Sequence, residues 1–151
     1  MKAVPHSVAV AISVLALLSS GLLPAAHAAA PAGLYTVGTD TVLDTATHLT
    51  WQRDVGPSAT WAAAGAYCQG LSRGGFSSNW RLPTVRELQS IVDESVSSPS
   101  IDSGAFPGTP SNYFWSSSPY TGGGVAFVVY FVFGTVDYKG TSGISNVRCV
   151  R

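Results

Sequence analysis

The feature that most constrains this chain is its single pair of cysteines, Cys68 and Cys149. In a reducing compartment they would be two independent thiols. In an oxidising one, a lone pair normally closes a disulfide. The N-terminus bears on which applies. Lys2 supplies a small positive region, Val8 to Leu23 is an uncharged run of 16 residues interrupted by Ser19, Ser20 and Gly21, and Pro24 stops any helix. Ala26-His27-Ala28 then fits an A-x-A cleavage site. The pattern reads as a secretory signal peptide over residues 1–28, leaving 29–151 as the mature domain. A transmembrane anchor would need about 20 apolar residues and stop-transfer charges. No cysteine stands near the cleavage site to carry a lipid. The mature protein is expected to be extracytoplasmic, secreted or periplasmic, without a membrane anchor, and with Cys68 bridged to Cys149. Closing that loop of 82 residues is worth about 4.5 kcal/mol on a chain-entropy estimate. The alternative is one reactive and one buried thiol, but neither has a neighbouring His or Lys in sequence to lower its pKa.

Cleavage changes the composition that matters. The remaining 123 residues carry seven basic and eight acidic side chains, a net charge of −1. All 16 aromatic residues lie beyond residue 33 and can fill a real core. The weak charge excludes a nucleic-acid binder, which needs a basic field against phosphates. Two cysteines cannot build a zinc cage of three or four thiolates.

Leu34 to Val37 has strand character. Val42-Leu43 and Leu49–Gln52 flank Asp44-Thr45-Ala46-Thr47-His48, a hairpin turn set by Asp and Thr side chains. Trp61, Ala64, Cys68 and Leu71 recur at spacings of three, four and three, so they share one helix face behind Thr60 as N-cap. Arg73-Gly74-Gly75 ends that helix. Thr84-Val85-Arg86-Glu87 is a capping box, opening a second helix that runs to about Asp93 with Val85, Leu88, Ile91 and Val92 inward. Residues 95–124 read as a long polar loop with an aromatic centre, Asn112-Tyr113-Phe114-Trp115. Val125 to Phe133 is nine consecutive apolar residues, Gly134-Thr135 turns, and Val136–Tyr138 returns. Ile144 to Val150 is the last strand, with Val147, Cys149 and Arg151 on one face and Arg148 and Val150 on the other. The fold class is α+β: two helices, antiparallel strands and a long loop region, stapled by one disulfide.

Five stretches in this order resemble the Lcl C-terminal domain family, once a domain of unknown function. They are Asp44–Arg53, Thr60-Trp61 through Tyr67-Cys68, Trp80–Thr84 with Glu87-Leu88, Trp115-Ser116-Ser117, and Val147–Arg151. Trp80–Thr84 and Val147–Arg151 are also similar to formylglycine-generating sulfatase-modifying domains. The resemblance implies a C-type lectin-like fold, whose long disulfide joins the first helix to the last strand. It also implies a secreted, bacterial binding or adhesion module, since the family's namesake is a collagen-like adhesin whose C-terminal domain binds sulfated glycosaminoglycans. Here there is no collagen repeat, and the seven basic residues are scattered singly. A heparin-like ligand would lack an electrostatic partner. His48 stands where the family usually has Gly, so it is expected at positive φ. Val128, Tyr130 and Val132 stand where the family pattern is polar.

Several chemistries lack the residues they need. Oxidase chemistry would require a free thiol. A calcium site would require clustered acids, whereas Asn112 has none beside it and Asp102 stands alone. A hydrolase would have to use His48, the only mature histidine, without a G-x-S-x-G motif. No catalytic residue, metal or cofactor is therefore expected. The leading expectation is carbohydrate or extracellular-protein binding through residues 95–124, with Asn112, Tyr113, Trp115 and Tyr120 as ligand candidates. The bland alternative is that these rings pin the loop to the core. A second expectation is a structural or assembly subunit that self-associates through a Val128–Tyr130–Val132 patch; the alternative for that run is a strand buried on both faces. An enzyme of unknown type on the same fold comes third.

Overall fold

A computed structural model describes residues 33–151, so the signal-peptide reading of residues 1–28 lies outside the described residues. Strands β1 (Tyr35–Val37), β2 (Thr41–Asp44) and β3 (Thr50–Gln52) form an antiparallel meander. The turn between β2 and β3 forms as the sequence indicates. Asp44 accepts from the backbone N–H groups of Ala46 and Thr47 at 2.9 and 3.3 Å, and His48 sits at φ 59°. Then follow β4 (Gly56–Ala59), helix α1 (Trp61–Gln69), helix α2 (Val85–Ser90), β5 (Tyr113–Pro119), β6 (Val125–Tyr130), β7 (Thr135–Gly140) and β8 (Ser145–Val147). The second sheet has the order β4-β8-β5-β6-β7. Its pairings are antiparallel except β5–β8, which is parallel and departs from the all-antiparallel expectation.

The two helices lie against opposite faces of this sheet, because adjacent residues on a strand point to opposite sides. Ala64 and Cys68 of α1 pack with Trp115, Ala126, Val128, Val147 and Cys149. Leu88 of α2 and the nearby Ile91 pack with Phe106, Phe114, Val129, Phe131 and Val150. Strand β6 is therefore covered on both faces, with Ala126, Val128 and Val129 buried and Phe127 half-buried. This corrects the patch reading: Val128 is fully buried and offers nothing to a partner, while Tyr130 and Val132 are half-buried. The nine-residue apolar run is also not one strand. It ends at Tyr130, and Phe131–Gly134 turns the chain.

The helix signals hold in part. Thr84 and Glu87 form the full capping box on α2, but Thr60 caps α1 without a side-chain hydrogen bond. Helix α1 stops at Gln69 and α2 at Ser90, both shorter than the apolar spacing suggests. Cys68 and Cys149 are bonded to one another. The closing residues are stitched in by backbone pairs: Arg81 and Val150 exchange two hydrogen bonds at 2.9 Å, and Thr50 and Arg151 exchange two at 2.9 and 3.0 Å.

Candidate functional site

The long region 95–124 divides into three. Its first part supplies core: Ile101, Ala105 and Phe106 are buried. Its middle is β5, and its end is a tight glycine turn, with Gly122, Gly123 and Gly124 all at positive φ, a conformation glycine adopts without steric cost.

The four ligand candidates do not converge. Trp115 is fully buried, and its indole N–H donates to the Ala59 carbonyl at 2.8 Å, so it is a core residue and not a contact. Asn112 is exposed, but its side-chain oxygen accepts from the Tyr113 backbone N–H at 2.8 Å. Tyr113 and Tyr120 lie on opposite faces of the sheet. Tyr113 donates its hydroxyl toward Asp137 at 3.4 Å, whereas Tyr120 stacks on Tyr138, the next residue along β7.

Two aromatic surfaces result. On the α1 side Tyr113 stacks on Tyr130 with ring centroids 4.4 Å apart, and Phe133 meets Tyr130 edge-on. Lys139 stands over Tyr113 at 5.6 Å, with its ammonium donating to the Ile144 carbonyl at 2.7 Å. Partial desolvation and then the nearby Asp137 carboxylate push the Tyr113 hydroxyl pKa upward. This surface is half-buried and tied to its neighbours.

On the other side Tyr120 and Tyr138 stack at 4.7 Å with planes 20° apart, and Phe127 meets Tyr120 edge-on at 5.3 Å. Tyr138 is 58% exposed and Tyr120 38%, with Val136 alongside. The rings are fixed by their pairing, but their outer surfaces are free. Asp137 and Lys139 point to the opposite face, so this platform presents tyrosine hydroxyls and aromatic carbon with no charge from its own strand. Tyr120 is among the residues the sequence marks as candidates; Tyr138 and Phe127 are not. The alternation Val136-Asp137-Tyr138 was a signal that could have found Tyr138.

Elsewhere, a cleft of about 420 Å³ lies between α1 and the Arg81–Leu82 segment, walled by Trp61, Gly65, Ala66 and Gln69. Arg81 beside it is held in a bidentate pair with Glu87, at 2.7 and 2.8 Å. That pair and the Thr84 backbone N–H pull the Glu87 carboxyl down to about 2. Arg148 is a buried cation. It donates to the Thr109 hydroxyl at 2.8 Å and the Arg53 carbonyl at 3.2 Å, and lies 4.6 Å over the Phe106 ring. Burial pushes its pKa down. Among the described residues no group of three His, Cys, Asp or Glu side chains could hold a metal ion, and His48 is exposed in its turn.

Residues 40–151 match the family model described as Lcl C-terminal domain. No curated protein matches the chain.

Proposed function

The chain belongs to the Lcl C-terminal domain family, and on that premise we propose that it is an extracytoplasmic, non-enzymatic binding module that recognises an uncharged stretch of glycan. The observation that carries this reading is the Tyr120–Tyr138 stack: two fixed, outward-facing rings with no charged group of their own strand beside them. Aromatic faces of this kind receive the apolar face of a sugar ring while the hydroxyls hydrogen-bond its rim. The site is thus the end of the 95–124 region together with β7, rather than the region's centre. A C-type lectin-like fold is consistent with a first helix tied by disulfide to Cys149, two residues past the last strand, and with C-terminal residues paired to β3. The non-enzymatic reading is supported by the engagement of both cysteines in the bridge.

The test is a glycan array followed by titration calorimetry on the best ligand. Loss of one stacking ring costs about 1 kcal/mol, so Tyr138→Ala should weaken binding five- to tenfold, while Tyr113→Ala leaves it unchanged. Absence of any saturable glycan binding, or equal loss in both variants, overturns the proposal.

A further inference from the structure

Strand β7 is the outer strand of its sheet, and among the described residues nothing pairs with its far side. It is the more exposed of the two six-residue strands, with Thr135 to Tyr138 exposed in succession. An exposed six-residue edge is a template for another strand.

The pairing of β6 with β7 fixes which groups face outward. Thr141 donates its backbone N–H to Gly124 at 2.9 Å, so that pair is hydrogen-bonded. Hydrogen-bonded pairs alternate along an antiparallel ladder. Asp137 and Lys139 therefore bond inward to β6, and Val136, Tyr138 and Gly140 direct their N–H and C=O groups to the open edge. The Tyr138 N–H bears this out, because it donates at 2.8 Å to the Asp137 side chain rather than to β6.

We infer that β7 is a self-association edge, on which a second copy of this chain pairs antiparallel about a two-fold axis through Tyr138. The argument for that occupant is self-complementary charge. Asp137 and Lys139 flank Tyr138 on one face of the strand. An axis through Tyr138 sets each Asp137 directly opposite the partner's Lys139, in the closely spaced type of pair where cross-strand charges act most strongly. An axis through Asp137 or Lys139 would instead set like charges against each other. The chosen register also joins all three outward-facing residues: Val136 with the partner's Gly140, and Tyr138 with its own copy. The Tyr138 N–H exchanges its Asp137 acceptor for the partner's carbonyl, which frees the carboxylate for the partner's Lys139, whose ammonium leaves the Ile144 carbonyl to meet it. The inference goes beyond glycan binding, and its test reads mass and not ligand.

Sedimentation equilibrium of the mature protein across micromolar to millimolar concentration should show a monomer–dimer equilibrium. Asp137→Lys alone and Lys139→Asp alone each place like charges across the axis and should weaken the dimer at least tenfold. The double swap should restore it, with thermal melts confirming that all four proteins fold. A wild-type mass that stays monomeric at every concentration overturns the inference. So does a double swap no tighter than the single variants, because a different register or surface would not reward reversing both charges.

Discussion

The Arg81–Glu87 pair makes a pH-dependent contribution whose size and sign can be worked out. Glu87 titrates near 4.5 when unperturbed and near 2 in the folded chain, first because Arg81 hydrogen-bonds its carboxylate and then because Thr84 does. Such a depression corresponds to at most about 3 kcal/mol of stability. The Arg81 side chain is 45% exposed, and solvent screening reduces the figure to about 1–2 kcal/mol. A folded-state carboxyl pKa below the unfolded one stabilises above the unfolded value, and the contribution fades as pH falls from about 4.5 to about 2. Glu87→Gln keeps an oxygen for the capping box but discards the charge. Urea unfolding of both proteins, with the disulfide intact, should therefore show the variant less stable by about 1–2 kcal/mol at pH 7. The gap should close as pH approaches 2. A gap of the same size at pH 7 and pH 2, or none at pH 7, would refute the assignment to charge.

Other consequences are separately measurable. Replacing both Cys68 and Cys149 by Ser opens the long loop and should lower unfolding free energy by about 4.5 kcal/mol, read from the denaturant midpoint; a loss below about 1 kcal/mol would assign the staple no stabilising role. His48 holds φ 59° in the β2–β3 turn, and His48→Gly should raise stability by about 1 kcal/mol, visible as a higher Tm; a lower Tm would mean the imidazole makes a compensating contact. Gly134 sits at φ 72° with Val92 where a β-carbon would stand. Gly134→Ala should cost about 2–3 kcal/mol, and an unchanged midpoint would show that the turn relaxes freely.

What the sequence showed and what it hid follow the range of the forces involved. The Asp44 turn, the Thr84–Glu87 box and the Cys68 face of α1 are written within four residues, so local chemistry specifies them. The Val125–Phe133 run has no alternation, and an uninterrupted apolar strand cannot say which face is covered. Here both are, by α1 on one side and α2 on the other, and so Val128 went inside. Reading 95–124 as loop concealed a second signal. Tyr113 and Tyr120 are an odd number apart, which in a strand sets them on opposite faces, and the structure does so despite an irregular register after Trp115. Arg148 shows the remaining limit. Its partners, Thr109 and Phe106, lie about forty residues away in irregular chain, and no local pattern announces them. The same holds for the site. Alternation marks the face of Tyr138, but it meets Tyr120 only because β6 pairs Phe127 with it and the glycine turn returns Tyr120 onto its ring. The proposed surface is a product of strand register, a long-range property that single residues carry no mark of.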